Sequence, residues 1–211
     1  MEAERQLNIK RSLLDNYERE LHLHADFIKF EDKDLRNNGF TSFKTDEIKE
    51  FCFGTTLYQY RIVFGREYQI LVKNFDNEIL DIKFKSYFGI KKYKSHELYV
   101  EIVNAIWDLY FTKQVYSFIK EFEAGESFYI GEVNINPEGV VIFVSRLLKQ
   151  EKKLIPWEDV ALRKYSSYVS IYSSKNPLDF NRGYSYKKDW NTLVLYNVIK
   201  NILDNKKINN D

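Results

Sequence analysis

Two stretches far apart in the chain carry the same pattern, and that repetition restricts the fold more than any other feature. FKTDEIKEFCFGTTLYQY, from Phe43, lies on IPWEDVALRKYSSYVSIY, from Ile155, so that Asp46, Glu47 and Ile48 meet Glu158, Asp159 and Val160. Each stretch follows strand-like runs, continues into further strands and is succeeded by an amphipathic helix, the first beginning at Ser95 and the second at Asp189. In a duplicated chain, a feature present in both copies is read as scaffold before it is read as chemistry. Identity between the copies is weak, so the shared order of elements carries the match.

The first copy is mostly strand. Residues 3 to 20 are read as a short helix bearing Leu7, Ile9, Leu13, Leu14 and Tyr17. From Leu21 the pattern alternates: LHLHADFIKF puts Leu21, Leu23, Ala25 and Phe27 on one face and His22, His24 and Asp26 on the other, as one half-buried strand does. RNNGF supplies a turn, and strand-like runs follow at 40 to 44, 48 to 60, 61 to 73 and 78 to 85, with Gly54 and Gly65 marking bulges or bends. Ser95 is the predicted N-cap of a long proline-free helix ending on Gly125, a suitable C′ residue. Its second half is expected to leave the first domain and to link to or pack on the second.

Strands then resume. SFYIGEVNIN and VVIFVSRLL flank the hairpin turn Pro137, Glu138 and Gly139, and KKLIPWEDVALRKY, SYVSIYSS and GYSYKK follow. The last helix is predicted from an Asp189 N-cap, with Leu193, Tyr196, Ile199 and Leu203 as its apolar stripe.

A bent antiparallel sheet closed by a C-terminal amphipathic helix is the plan of a pleckstrin-homology-like (PH-like) barrel. The second half, through PEGVVIF, PWEDV and a terminal helix beginning near Trp190, resembles small bacterial PH-like domains of unknown function. The resemblance covers residues 127 to 204 well and residues 21 to 124 by order of elements. The expected fold class is therefore α+β, with two PH-like bent sheets or barrels, each closed by a C-terminal helix and joined by the long one. The expected domains are 1–124 and 125–211. What the resemblance implies is binding of peptides, proteins or lipid headgroups, with no catalytic residues to carry over. Lipid-binding members place cations in the first hairpin loop. Here EDKDLRNNG offsets Lys33 and Arg36 with Glu31, Asp32 and Asp34, and NPEG has no cation, so a phosphoinositide at that loop is disfavoured.

Charge and cysteine usage exclude further classes. Thirty-two lysines and arginines stand against 31 carboxylates, which gives no global bias toward nucleic acid or an anionic surface. Cys52 is the only cysteine, so an internal disulfide is impossible, and it is read as a small buried hydrophobe. The charged N-terminus and the lack of an apolar run near the roughly 18 residues of a membrane span predict a soluble cytoplasmic protein.

Candidate sites are few. Glu158 and Asp159 follow Trp157, but adjacent residues entering a strand point apart, which suits a turn better than paired acid and base. His22 and His24 share a strand face, the spacing of two metal ligands, against the plainer reading of a solvated face. Lys91, Lys92 and Lys94, interleaved with Tyr87, Phe88 and Tyr93, form a basic patch of the kind that grips lipid or nucleic acid or merely blunts an edge. Tyr165, Tyr168, Tyr172, Tyr184 and Tyr186 are the predicted partner-binding residues, because tyrosine gives large contact area at low entropic cost. The reading is a non-enzymatic binding module for a protein or peptide, with an immunity or inhibitor-type protein as one version and homo-oligomerisation open. No cofactor is predicted. The alternatives are a small metal-dependent hydrolase centred on His22 and His24, and a lipid or nucleic-acid binding module.

Overall fold

A computed structural model of the chain describes residues 4–12, 15–32, 39–60, 63–90, 92–146 and 149–208. The chain is mixed α+β and divides into two compact units, Met1–Phe111 and Thr112–Asp211.

The first unit begins with an antiparallel sheet in the order β1 (Arg5–Ile9), β2 (Arg19–Leu23), β3 (Phe27–Glu31) and β4 (Phe40–Lys44). The opening segment is thus a strand rather than the predicted helix, because Arg5 to Ile9 pair residue by residue with Leu23 to Arg19. LHLHADFIKF is two strands, not one. His24 and Phe27 exchange backbone hydrogen bonds of 3.0 and 3.3 Å around Ala25 and Asp26. Two side chains distant in sequence hold this turn: Tyr110 Oη contacts the carbonyls of His24 and Phe27 at 3.0 and 2.8 Å, and Thr45 Oγ1 donates to that of Ala25 at 2.6 Å.

A single 3₁₀ turn, Thr45–Glu47, leads to the second sheet, β5 (Ile48–Tyr60), β6 (Val63–Asn74) and β7 (Ile79–Tyr87). Its register runs unbroken through Gly54 and Gly65, and the irregularity falls between Ile48 and Glu50 instead. Alternate residues Tyr68, Ile70 and Val72 of β6 and Leu80, Ile82 and Phe84 of β7 are buried, as a strand period of two requires. Burial of each such side chain contributes about 1.5–3 kcal/mol. Helix α1 (Lys92–Ile106) covers them with Tyr99, Ile102 and Ile106 and continues into a π turn, Trp107–Phe111, whose Phe111 ring stacks on Phe51 at 4.1 Å. The helix starts at Lys92, so Ser95 lies in its first turn and is not the cap.

In the second unit, α2 (Thr112–Glu123) precedes β8 (Phe128–Ile130), β9 (Val133–Asn136), β10 (Gly139–Arg146) and β11 (Lys149–Pro156). Another 3₁₀ turn, Trp157–Asp159, leads to β12 (Val160–Lys164), β13 (Tyr168–Ser173), β14 (Asn181–Ser185) and α3 (Thr192–Ile208). The sequence reading put the domain boundary after residue 124. The compact units divide earlier because α2 packs against α3, with Phe118 stacked on Phe128 at 4.9 Å and Phe122 edge-on to Trp157 at 5.2 Å. Asp189 does not cap α3: its carboxylate accepts the backbone N–H of Ser185 at 2.6 Å, and the helix opens three residues later. The buried stripe of α3 is Val194, Leu195, Val198, Ile199 and Ile202, turned from the predicted one by about a residue.

Each unit, taken by itself, therefore runs through four antiparallel strands, a 3₁₀ turn, three antiparallel strands and a helix, with α2 as an added leading helix in the second. The two 3₁₀ turns fall on the residues that the sequence repeat aligns. The sheets are open, each a four- or three-stranded ladder with two ends, so the expected closure into barrels is not formed by strand pairing among the described residues.

Candidate functional site

The five predicted tyrosines separate by strand parity. Tyr168 and Tyr172 stand on the outer face of β13, with Arg163 of β12 and Gly183 of β14 on the same face by register. Tyr165 stacks on Tyr168 at 4.4 Å and 14°, and Arg163 lies over the Tyr165 ring at 5.2 Å. Partial desolvation and the neighbouring Tyr165 raise the Tyr168 hydroxyl above its ordinary pKa. Tyr184 pairs with Val169 on the other face and is only 3% exposed, and Tyr186 is 6% exposed. Burial lifts the Tyr186 hydroxyl to about 12 and Tyr184 higher still. The outer surface thus retains Tyr165, Tyr168 and Tyr172, while Tyr184 and Tyr186 belong to the core.

Beside this surface runs an open strand edge. Tyr165 donates to the Tyr168 carbonyl at 2.9 Å and Ser174 to that of Asp159 at 2.8 Å, so the odd-numbered residues of β12 spend their backbone groups on β13. The N–H and C=O groups of Leu162 and Lys164 therefore point away from the sheet, where β12 has no strand partner among the described residues. The opposite edge is occupied at Ser185, whose N–H is taken by Asp189 and whose carbonyl accepts Thr192 Oγ1 at 3.1 Å. Lys164 Nζ lies 5.2 Å above the Tyr196 ring, which brings α3 alongside the end of β12.

The acidic turns are structural in both units. Glu47 accepts the backbone N–H of Lys44 at 2.8 Å, and Asp159 pairs with Lys175 at 2.8 Å, raising the lysine's pKa. Trp157 is buried and donates its indole N–H to the Asn136 carbonyl at 2.9 Å. The histidines have separate partners: His22 Nε2 lies 3.0 Å from Glu20, whereas His24 Nδ1 accepts the Asp26 N–H at 3.1 Å and its ring stacks on Phe27. Among the described residues, no three histidine, cysteine or acidic side chains converge as a metal site.

Of the basic patch, Lys94 is exposed in the first turn of α1, Lys92 opens that helix, and Lys91 lies outside the described residues, as do Lys33 and Arg36 of the first hairpin loop. Phe88 and Tyr93 of that stretch are exposed, and so are three apolar side chains that sequence reasoning did not single out, Leu57, Phe64 and Ile90. The available signal was the lack of any carboxylate in residues 57–66 and 82–96.

Fold and surface together describe an α+β chain whose two units repeat one order of elements, with an open aromatic-flanked edge in the second. The chain matches no protein-family model, no curated protein and no solved structure. No helix among the described residues is long and apolar enough to cross a membrane.

Proposed function

We propose that this chain is a tandem of PH-like units acting as a non-enzymatic binding module for a protein or peptide, with the partner adding a strand along β12. The open edge at Leu162 and Lys164 carries the reading. An extended peptide gains main-chain hydrogen bonds from such an edge and specificity from the side chains beside it. Tyr165, Tyr168 and Tyr172 supply large, rigid contact area on one side, and Tyr196 of α3 supplies an aromatic wall on the other. The repeated order of strands, 3₁₀ turn, strands and helix supports the PH-like reading of both units.

The test is selection of binding peptides from a random displayed library against the intact chain, followed by two substitutions. Leu162→Pro removes an outward N–H without touching the β12–β13 ladder, and proline is tolerated on an edge strand. It should weaken binding of the selected peptides at least tenfold while the far-ultraviolet circular dichroism stays unchanged. Tyr168→Ala should weaken it by about 1–2 kcal/mol. Peptides that bind both variants as well as the parent chain would refute the edge reading.

A further inference from the structure

The end strand of the first unit's three-stranded sheet, β5, lacks the guard that the other sheet edges carry. An edge strand offers unpaired N–H and C=O groups to any passing chain, and charge, proline or shortness ordinarily blunts it. Among the described residues, β8 is three residues long, and the edge strands β1, β4, β7, β11, β12 and β14 each contain a lysine or arginine. Beyond Glu50, which pairs with Lys73, β5 runs from Phe51 to Tyr60 with no charged residue and no proline.

Alternation along the ladder assigns the backbone groups that this edge leaves open. The Phe64 carbonyl accepts the Phe88 N–H at 2.9 Å, and the Asn74 N–H donates to the Glu78 carbonyl at 3.1 Å, so even-numbered residues of β6 spend their backbone on the β7 side. Odd-numbered Val63, Gly65 and Glu67 therefore bond Tyr60, Tyr58 and Thr56 of β5. The N–H and C=O groups of Thr55, Leu57 and Gln59 then point away from the sheet, where β5 has no second strand beside it among the described residues. Phe51 and Cys52 are buried, whereas Thr55, Thr56 and Gln59 are exposed and Leu57 is 73% exposed.

We infer that this edge pairs with the same edge of a second copy of the chain, antiparallel about a two-fold axis at Thr56, joining two three-stranded sheets into one of six. A two-fold brings each residue against its own copy or a near neighbour, so any charge on the strand would meet its like, and here the strand has none. Thr55 stands opposite the second copy's Leu57 and covers its exposed side chain, while the outward backbone groups of the two bond reciprocally. The flanking charges, Arg66 and Glu67 of β6, lie three strand spacings, about 14 Å, from their copies, beyond the screening length of physiological salt. An unlike partner would find no charge along the strand to select it, whereas a second copy needs only the matching register. The β12 edge, which ends on Arg163 and Lys164, does not suit such self-pairing, so the inference is independent of the proposed peptide site.

The experiment is sedimentation velocity of the intact chain over a concentration series into the high micromolar range. The chain should pass from monomer to a species of twice the mass and stop there. Thr56→Lys sets a lysine against its own copy at the axis, yet within one chain that position faces Glu67 across the ladder, so circular dichroism should be unchanged while the dimer weakens about fivefold. Oxidative cross-linking reads the register. Thr56→Cys brings two thiols within disulfide reach and should trap a covalent dimer, whereas Gln59→Cys, also exposed, leaves them about 20 Å apart and should trap none. A chain that stays monomeric at every concentration, a dimer that Thr56→Lys leaves as tight as before, equal cross-linking of the two cysteine variants, or growth past the dimer into open filaments would each overturn the inference.

Discussion

Single residues show where this chain trades local comfort for tertiary contact. Gly65 lets the Tyr58 ring cross β6, since a methyl group there would overlap both Tyr58 Oη and the Ser86 carbonyl oxygen. Burial and the neighbouring Tyr87 then push the Tyr58 hydroxyl up to about 12. Asp81 is a costlier case. Desolvation raises its carboxyl above the usual carboxylate range despite the Gln69 amide 3.2 Å from each oxygen. The native state therefore holds this proton more tightly than the unfolded chain does. Stability from this group falls as pH rises from the ordinary carboxylate value through the raised one, and the penalty persists at neutral pH. Asp81→Asn, which keeps an acceptor for Gln69, should raise the denaturation midpoint at neutral pH. The gain should vanish once the medium is more acidic than an ordinary carboxylate's pKa.

At the scale of elements, the ends depend on different information from the middles. Helix α2 closes by local chemistry: Gly125 takes φ 78°, its N–H donates to the Phe122 carbonyl at 3.0 Å, and that of Glu126 donates to Glu121 at 3.0 Å. Gly125→Ala should cost about 1 kcal/mol, read as a shifted urea midpoint with an unchanged slope. This end was legible in the sequence, and so were β4 to β7 and the hairpin at Pro137 and Glu138, because alternation and turn residues are local signals. The turn at Ala25 and Asp26 was not, since Tyr110 and Thr45 hold it from elsewhere in the chain. The start of α1 was misplaced for a related reason. Phe88 supplies the left-handed turn ahead of it, a conformation that the residue type does not advertise. Among the candidate sites, the tyrosines were visible but their facing was not. The strand reading lacked the β13–β14 register that sends Tyr184 inward and Tyr168 outward.

For the whole molecule, the repeat explains why two acidic turns so alike in sequence have no need of a reaction. Glu47 and Asp159 each anchor the entrance to a three-stranded sheet, one through a backbone N–H and the other through Lys175. What differs between the units is their exposed surface, with Leu57, Phe64 and Phe88 exposed in the first and an aromatic-flanked strand edge in the second. Strand addition at β12 can be read residue by residue from amide hydrogen exchange of the chain with and without a selected peptide. Alternation of the ladder predicts that Leu162 and Lys164 exchange fast in the free chain and become protected on binding, while Ala161 and Arg163 are protected throughout. Protection appearing elsewhere, with Leu162 and Lys164 still exchanging as in the free chain, would contradict it.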